Sequence, residues 1–261
     1  MRHMRFAAGT KARRQVSAVA SVLAAIAAII FASSDAHAVM KGSSAGGISR
    51  HVVKLVGHNL LCTAVVIGRQ QLLTANHCVE GSGPFYVMAG GKRIAVASHS
   101  PAGQTTQLTL ATPLPGQFIP IATGSAGGEG TYTIAGYGTA QESARMSSAG
   151  LKQAQLVNDS RYNALVDPRR RGPISASACM GDSGGPVAKY DGKRYVLVGI
   201  VERVSNYAGI GACGFLTHFS SVSGVTTNVA SAPEGTTRQV SEPRRQRVAG
   251  SKRHHRQWAA R

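Results

Sequence analysis

Between residues 51 and 219 the chain is a succession of short β-like runs broken by glycine and proline, and no long stretch has helical periodicity. The dipeptide Asp191-Gly192 lies between two such runs and is typical of a tight hairpin. Many short strands joined by such turns predict an all-β domain, built either as a sandwich or as a barrel. The clearest predicted strands are residues 51–56, 63–67, 85–88, 94–97 and 132–135.

The first 38 residues have the three parts of a secretory signal peptide. A basic head is followed by an apolar stretch from Val16 to Ala32 and by the small-residue site Ala36-His37-Ala38. A membrane anchor is the alternative, because this stretch approaches the minimum length of a membrane span. We expect cleavage after Ala38 and a secreted or periplasmic protein without a stable membrane anchor. The pair Arg13-Arg14 leaves both the Sec and the twin-arginine routes open.

The end of the chain differs in composition from the predicted domain, which we assign to residues 39–231. Residues 232–261 contain eight Lys and Arg against two acids, and they have almost no residues that could fill a core. This composition predicts a disordered cationic tail. Such a tail is a candidate for binding polyanions, and a solvated tail without a partner is the alternative.

Four cysteines remain after the predicted cleavage site. An even number in an exported protein predicts two disulfides. Zinc is the competing interpretation, but no two cysteines have the CxxC spacing of a metal site. We therefore expect neither a metal nor a cofactor.

Two segments carry candidate catalytic side chains. Ser183 lies in a glycine-rich turn at residues 180–186, and His77 ends a predicted strand beside Cys78. A serine hydroxyl is a poor nucleophile until a base takes its proton, and the oxyanion formed on attack needs N–H donors. The near-neutral pKa of histidine suits it to be that base. A plain β-turn and a packed histidine are the structural alternatives.

These segments resemble the chymotrypsin/trypsin family of serine proteases over about residues 39–224. That resemblance implies two packed antiparallel β-barrels with a cleft between them. The matching segments are Thr74-Ala75-Asn76-His77-Cys78, Ala135-Gly136-Tyr137-Gly138-Thr139, Gly181-Asp182-Ser183-Gly184-Gly185-Pro186, Gly199-Ile200-Val201 and Gly214-Phe215-Leu216-Thr217.

The resemblance also implies a role for each matching residue. Ser183 is the expected nucleophile, His77 its base, and the N–H groups of Gly181 and Ser183 the oxyanion hole. The substrate would be a protein or a peptide. The implied disulfides pair Cys62 with Cys78 and Cys179 with Cys213.

Two further expectations concern activation and specificity. Cleavage after Ala38 would free Val39, whose α-ammonium would pair with Asp182 as in the activated family members. The implied substrate pocket has no acid at its base. Its expected residues are Ser177 at the base, Val204 at the entrance and Gly214 in the far wall, and together they predict a preference for small apolar side chains.

One departure from the family pattern affects catalysis. Gln107 stands where the family has the aspartate that orients the base, and no Asp or Glu lies between residues 81 and 128. Loss of this charge costs about 10⁴ in turnover. The family serine that contacts that aspartate is Glu202 here, so we expect Glu202 to orient His77 from about 3.2 Å. The alternatives are that Glu202 faces solvent or pairs with Arg203.

The sequence therefore predicts a serine endopeptidase. The alternative is a catalytically impaired protease-fold binding protein, or pseudoprotease, in which Gln107 marks lost activity. The matches at Ser183, His77 and Gly181 favour the enzyme.

Overall fold

The computed structural model describes residues 39–81, 83–125, 129–139, 150–169, 175–206, 213–225 and 227. The predicted leader and the predicted basic tail lie outside the described residues. In the part of the chain that is described, no helix has the length and apolar character needed to cross a membrane.

A two-residue strand, β1 (Ser43–Ser44), and a 3₁₀ helix (Gly47–His51) precede the first barrel. Six antiparallel strands close this barrel in the order β2-β3-β4-β7-β6-β5. They are β2 (Val52–Gly57), β3 (Leu60–Val66), β4 (Gln71–Ala75), β5 (Tyr86–Ala89), β6 (Lys92–Ala102) and β7 (Thr105–Leu110).

The second barrel follows a short strand, β8 (Ala122–Thr123), which pairs in parallel with β13. Its ring runs β9-β12-β13-β14-β11-β10 and closes where β10 pairs with β9. The strands are β9 (Thr131–Gly136), β10 (Lys152–Asp159), β11 (Ala164–Val166), β12 (Pro186–Tyr190), β13 (Tyr195–Ser205) and β14 (Leu216–Ser221).

Both barrels are filled by the side chains that face inward at alternate positions along the strands. On β7, for example, Thr106, Leu108 and Leu110 are buried whereas Thr109 is exposed, as expected for a strand with one face toward the core. A cluster of valines, leucines and isoleucines fills the first barrel, and a smaller cluster around Leu156 fills the second. The prediction of two antiparallel barrels is therefore confirmed.

The strands on either side of Asp191-Gly192 meet the turn where the sequence predicted, but the dipeptide alone does not form the turn. Four residues separate β12 from β13, and of the dipeptide only Gly192 has positive φ, at 94°. The Asp191 carboxylate accepts hydrogen bonds from the N–H groups of Lys193 and Arg194 at 2.9 and 2.8 Å. These bonds hold Lys193 and Arg194 in the turn. In a two-residue loop, both residues would belong to the strands instead.

Both disulfides implied by the resemblance are present. Cys62 bonds Cys78 with a Cα separation of 6.1 Å, and Cys179 bonds Cys213 with a Cα separation of 5.0 Å. Together they use all four cysteines of the chain.

Candidate active site

His77 lies at the edge of the first barrel. It belongs to a 3₁₀ helix, Asn76–Val79, that follows β4 directly. The Cys62–Cys78 disulfide ties the next residue to β3. The His77 side chain is 42% exposed. The imidazole is therefore accessible, while the 3₁₀ helix and the disulfide hold its main chain.

Ser183 lies where the two barrels meet. Its carbonyl accepts a 2.9 Å hydrogen bond from the N–H of Thr63 on β3, and the N–H of Gly184 donates to Val201 on β13 at 2.8 Å. The Ser183 hydroxyl donates to the main-chain carbonyl of Glu202 at 3.3 Å. Within the described residues, no hydrogen bond joins this hydroxyl to His77, so the serine would have to turn toward His77 to act as the predicted nucleophile.

The two N–H groups predicted to form an oxyanion hole are available as hydrogen-bond donors. The Met180 carbonyl accepts a bond from Thr139 at 2.8 Å, and the Gly181 carbonyl accepts one from the Thr63 hydroxyl at 2.9 Å. The C=O and N–H of a trans peptide point in opposite directions, so the Gly181 N–H points away from Thr139. In the described part of the chain, neither this N–H nor that of Ser183 donates a hydrogen bond.

The Asp182 carboxyl is buried behind the serine turn. It accepts 2.8 Å bonds from the N–H groups of Gly138 and Cys179. A side chain at Gly136 or Gly138 would overlap Asp182, which explains the two glycines of this turn. Burial raises the pKa of Asp182 from 3.8 to about 7, and main-chain hydrogen bonds, including one from Val39, oppose the shift. The N–H of fully buried Val39 therefore contacts the acid predicted as its partner.

Glu202 forms a β-bulge in β13. The pairing with β14 passes from Val201 directly to Arg203, which leaves Glu202 as the extra residue. Its Oε2 lies 3.8 Å from Nδ1 of His77. This distance exceeds the predicted 3.2 Å, so the two groups face each other without forming a hydrogen bond. Burial raises the pKa of the Glu202 carboxyl, and a hydrogen bond with Ser220 opposes the shift.

Gln107 does not join this group. The register of β4 and β7 pairs Gln107 with Leu73 and Thr105 with Ala75. Thr105 is thus the β7 residue on the same strand face that lies nearer to His77. Within the described residues, the Gln107 side chain makes no hydrogen bond, so its amide does not hold Glu202 in place.

The residues predicted for the substrate pocket lie together in the second barrel. Fully buried Ser177 donates to the Ala178 carbonyl at 2.8 Å and accepts from the Gly214 N–H at 2.9 Å. The residue predicted for the pocket base is therefore uncharged, and its hydroxyl already has both a donor and an acceptor. Half-buried Val204 packs against the apolar cluster that contains the Cys179–Cys213 disulfide.

A metal site near His77 is not supported by the chemistry of its neighbours. His77, Cys62 and Cys78 have ligand atoms within 4.8 Å of one another. Both sulfurs are already bonded to each other, so neither is available as the thiolate that a metal would need.

Thr63 is an organising residue that the sequence analysis missed. Besides the bonds to Ser183 and Gly181, its hydroxyl accepts a 3.1 Å bond from the Tyr137 N–H. It is fully buried in the otherwise apolar run of β3. That single polar residue, directly after Cys62, was the available signal.

The comparisons with known proteins agree with this geometry. The family model described as Trypsin matches residues 39–225. The chain belongs to the trypsin family. A "Trypsin-like protease" of Streptomyces glaucescens is 30% identical over 201 residues, which cover 66% of this chain and 75% of that protein.

The fold of this trypsin-family chain is also found among solved structures. One is neuropsin, described as a serine protease expressed in the limbic system of mouse brain. The match has a TM-score of 0.55 and 19% identity, and it covers 70% of this chain and 95% of neuropsin. At this level of identity the likeness concerns the fold.

Proposed function

We propose that this trypsin-family domain is a serine endopeptidase. The proposal rests on one observation: Ser183, two available N–H donors and a histidine with a carboxylate behind it meet at the junction of the barrels. Each group corresponds to one requirement of acyl transfer, namely a nucleophile, oxyanion stabilisation and an oriented base.

The reaction would begin when the Ser183 hydroxyl leaves the Glu202 carbonyl and turns toward His77. Its oxygen attacks the substrate carbonyl carbon while Nε2 of His77 takes the proton. The N–H groups of Gly181 and Ser183 stabilise the oxyanion. The C–N bond breaks as His77 returns the proton to the leaving amine, and water then hydrolyses the acyl-enzyme by the same steps in reverse.

Glu202 takes the orienting role in this proposal. Its carboxylate faces Nδ1 of His77, which leaves Nε2 for the serine. The starting distance of 3.8 Å would shorten to a hydrogen bond when His77 becomes positively charged, because catalytic contacts tighten in the reacting complex.

Export and activation are coupled in the same proposal. Removal of residues 1–38 outside the cytoplasm would convert the N–H of Val39 into an α-ammonium, beside the buried carboxyl that it already contacts. Signal peptidase would then be the activating enzyme. The mature protein would be secreted or periplasmic, with peptides cleaved after small apolar residues.

A pseudoprotease is the second candidate, and two observations favour it. The Ser183 hydroxyl bonds the Glu202 carbonyl rather than His77, and no carboxylate comes within hydrogen-bond distance of His77 in the described residues. A protein of this kind would use its basic surface or its tail for binding.

Labelling with a fluorophosphonate separates the two candidates. The mature protein should be labelled at Ser183, and Ser183→Ala should not be labelled although it remains folded. Peptide hydrolysis should disappear in Ser183→Ala and in His77→Ala. A wild-type protein that is neither labelled nor hydrolytic would support the pseudoprotease.

A further inference from the structure

A cavity of about 320 Å³ lies at the turn end of the β12–β13 hairpin. Both strands run from this turn toward the active site, where Ser183 precedes β12 and Glu202 lies near the end of β13. The stretch of β13 from Tyr195 to Glu202 spans roughly 23 Å at the rise of an extended strand. The cavity is therefore separate from the catalytic site.

Main-chain contacts hold the walls of this cavity in place. The Ile119 N–H donates to the Arg50 carbonyl at 3.0 Å, and Nδ1 of His51 donates to the Ile119 carbonyl at 2.8 Å. Across the cavity, the rings of Tyr190 and Tyr195 lie 5.2 Å apart at 57°. The cavity thus exists without a ligand, and little ordering is needed to fill it.

The lining is cationic. Arg50, Lys193 and Arg194 all contribute to it, and none of its described residues is acidic. Asp191, in the same turn, accepts the main-chain hydrogen bonds described above and lies 3.7 Å from Nε of Arg194. Among the described residues, neither Arg50 nor Lys193 has an acid within ion-pair distance, so two positive charges are available to a ligand.

Apolar surface accompanies this charge. Tyrosine rings, proline and alanine line the remaining walls. Burial lowers the pKa of His51, the hydrogen bond to the Ile119 carbonyl opposes this shift, and the Arg50 charge adds to it. The lowered pKa favours the neutral ring, which adds a flat face to the lining.

We propose that this cavity binds a small organic anion, in which a phosphate, sulfate or carboxylate group is carried on a planar or aromatic body. Its volume falls within the range of small-molecule sites. The anionic group would lie against Arg50 and Lys193, and the planar body would stack on the tyrosine rings. This site is independent of the proposed peptidase activity.

Phenyl phosphate is a suitable probe for the full chain carrying Ser183→Ala, which prevents self-cleavage. Amide resonances should be followed by NMR as the ligand is added. We expect saturable shifts at residues 190–195 and 119–122. Arg50→Ala and Lys193→Ala should each weaken binding by about tenfold, because each removes one charge-assisted contact.

Lys92→Ala is the matched control, since Lys92 is also an exposed lysine at the turn of a hairpin. It should leave the affinity unchanged. Equal weakening in Lys92→Ala and Lys193→Ala would overturn the proposal, as would shifts confined to other residues. Inorganic phosphate should bind more weakly than phenyl phosphate, and equal affinities would overturn the stacking role of the planar body.

Discussion

Glu202 contacts both candidate catalytic side chains, Ser183 and His77. Its main-chain carbonyl holds the Ser183 hydroxyl, and its carboxylate faces His77. Both contacts depend on the bulge, because a regular strand would point the side chain to a different position. The role of Glu202 is therefore open to direct test by substitution.

Glu202→Gln should lower kcat by at least about a hundredfold, because the amide cannot stabilise the imidazolium that forms during the reaction. Steady-state hydrolysis of a peptide ester would measure the loss. Thermal unfolding should change little, since the amide has nearly the same shape. Arg203→Gln, which changes an exposed neighbour, is the control. Wild-type turnover in Glu202→Gln would exclude the relocated carboxylate.

The position of a replacement acid can be tested in the Glu202→Ser background. The register pairs Thr105, rather than Gln107, with Ala75 two residues before His77. Thr105→Asp should therefore restore more activity than Gln107→Asp. Greater recovery with Gln107→Asp would support the sequence alignment over the strand register.

Asp182 gives a prediction for pH. Its pKa in the folded chain, with residue 38 still attached, is raised from 3.8 to about 7. The unfolded chain releases this proton at a lower pH than the folded chain does. The extended protein, in which the residues before Val39 are still attached, should therefore lose stability as the pH rises from 3.8 to about 7. Above about pH 7 the loss should level off.

Urea unfolding between about pH 4 and about pH 8 would measure this dependence. Protein beginning at Val39 should lose less stability, because its α-ammonium favours the ionised carboxyl. Asp182→Asn in the extended protein should flatten the profile. Identical profiles for extended, mature and Asp182→Asn proteins would contradict the argument.

At the scale of elements, the turn that carries Ser183 is packed without spare space. Gly184 has a φ of 83°, and a Cβ at this position would overlap the Thr63 carbonyl and the Thr74 hydroxyl. Gly192 has a similar φ of 94°, but a Cβ there meets nothing within 4 Å. Substituting alanine at each of these two glycines therefore distinguishes the cost of backbone strain from the cost of steric overlap.

Gly184→Ala should abolish activity and destabilise the fold by clearly more than Gly192→Ala. Gly192→Ala should lower the free energy of unfolding by only about 1 to 2 kcal/mol, because an L-residue is strained in the left-handed conformation. Chemical denaturation and peptide hydrolysis would measure both effects. Equal destabilisation would show that strain alone accounts for the choice of glycine at both positions.

The pocket elements predict specificity. Because the predicted base residue Ser177 is neutral and the predicted entrance residue Val204 is branched, Ala or Val before the scissile bond should give at least about tenfold higher kcat/KM than Arg. A matched series of peptide substrates would measure this. Val204→Gly should shift the preference toward larger side chains, and a preference for Arg in the wild type would contradict an uncharged pocket.

At the scale of the whole molecule, strand periodicity was enough to predict an all-β domain, but it left sandwich and barrel open. The two barrels were predicted only through the family resemblance, which two specific motifs around His77 and Ser183 carry locally. The bulge at Glu202 and the register of Thr105 were not predictable, because both depend on which residues of distant strands pair. The same reason hid Thr63, whose hydrogen bonds to Tyr137, Gly181 and Ser183 reach far along the chain.

The basic tail should act independently of the barrels. Truncation after residue 231 should leave thermal unfolding unchanged but reduce retention on an immobilised polyanion. Because bound cations release condensed counterions, retention of the full chain should fall steeply with salt. A chain with the tail Lys and Arg changed to Gln should behave like the truncated protein. Unchanged retention after truncation would assign anion binding to the barrels.

The placement of Glu202 on β13 has a mechanical consequence. His77 belongs to the first barrel, whereas the carboxylate that faces it lies on β13 of the second. An orienting acid on β7 would stay with the histidine whenever the barrels moved apart. Here an opening of the cleft would separate His77 from Glu202, whereas the Ser183 carbonyl stays bonded to Thr63 of the first barrel. A ligand that binds both barrels at once would therefore hold the histidine and the carboxylate together, and an empty cleft that opens would part them.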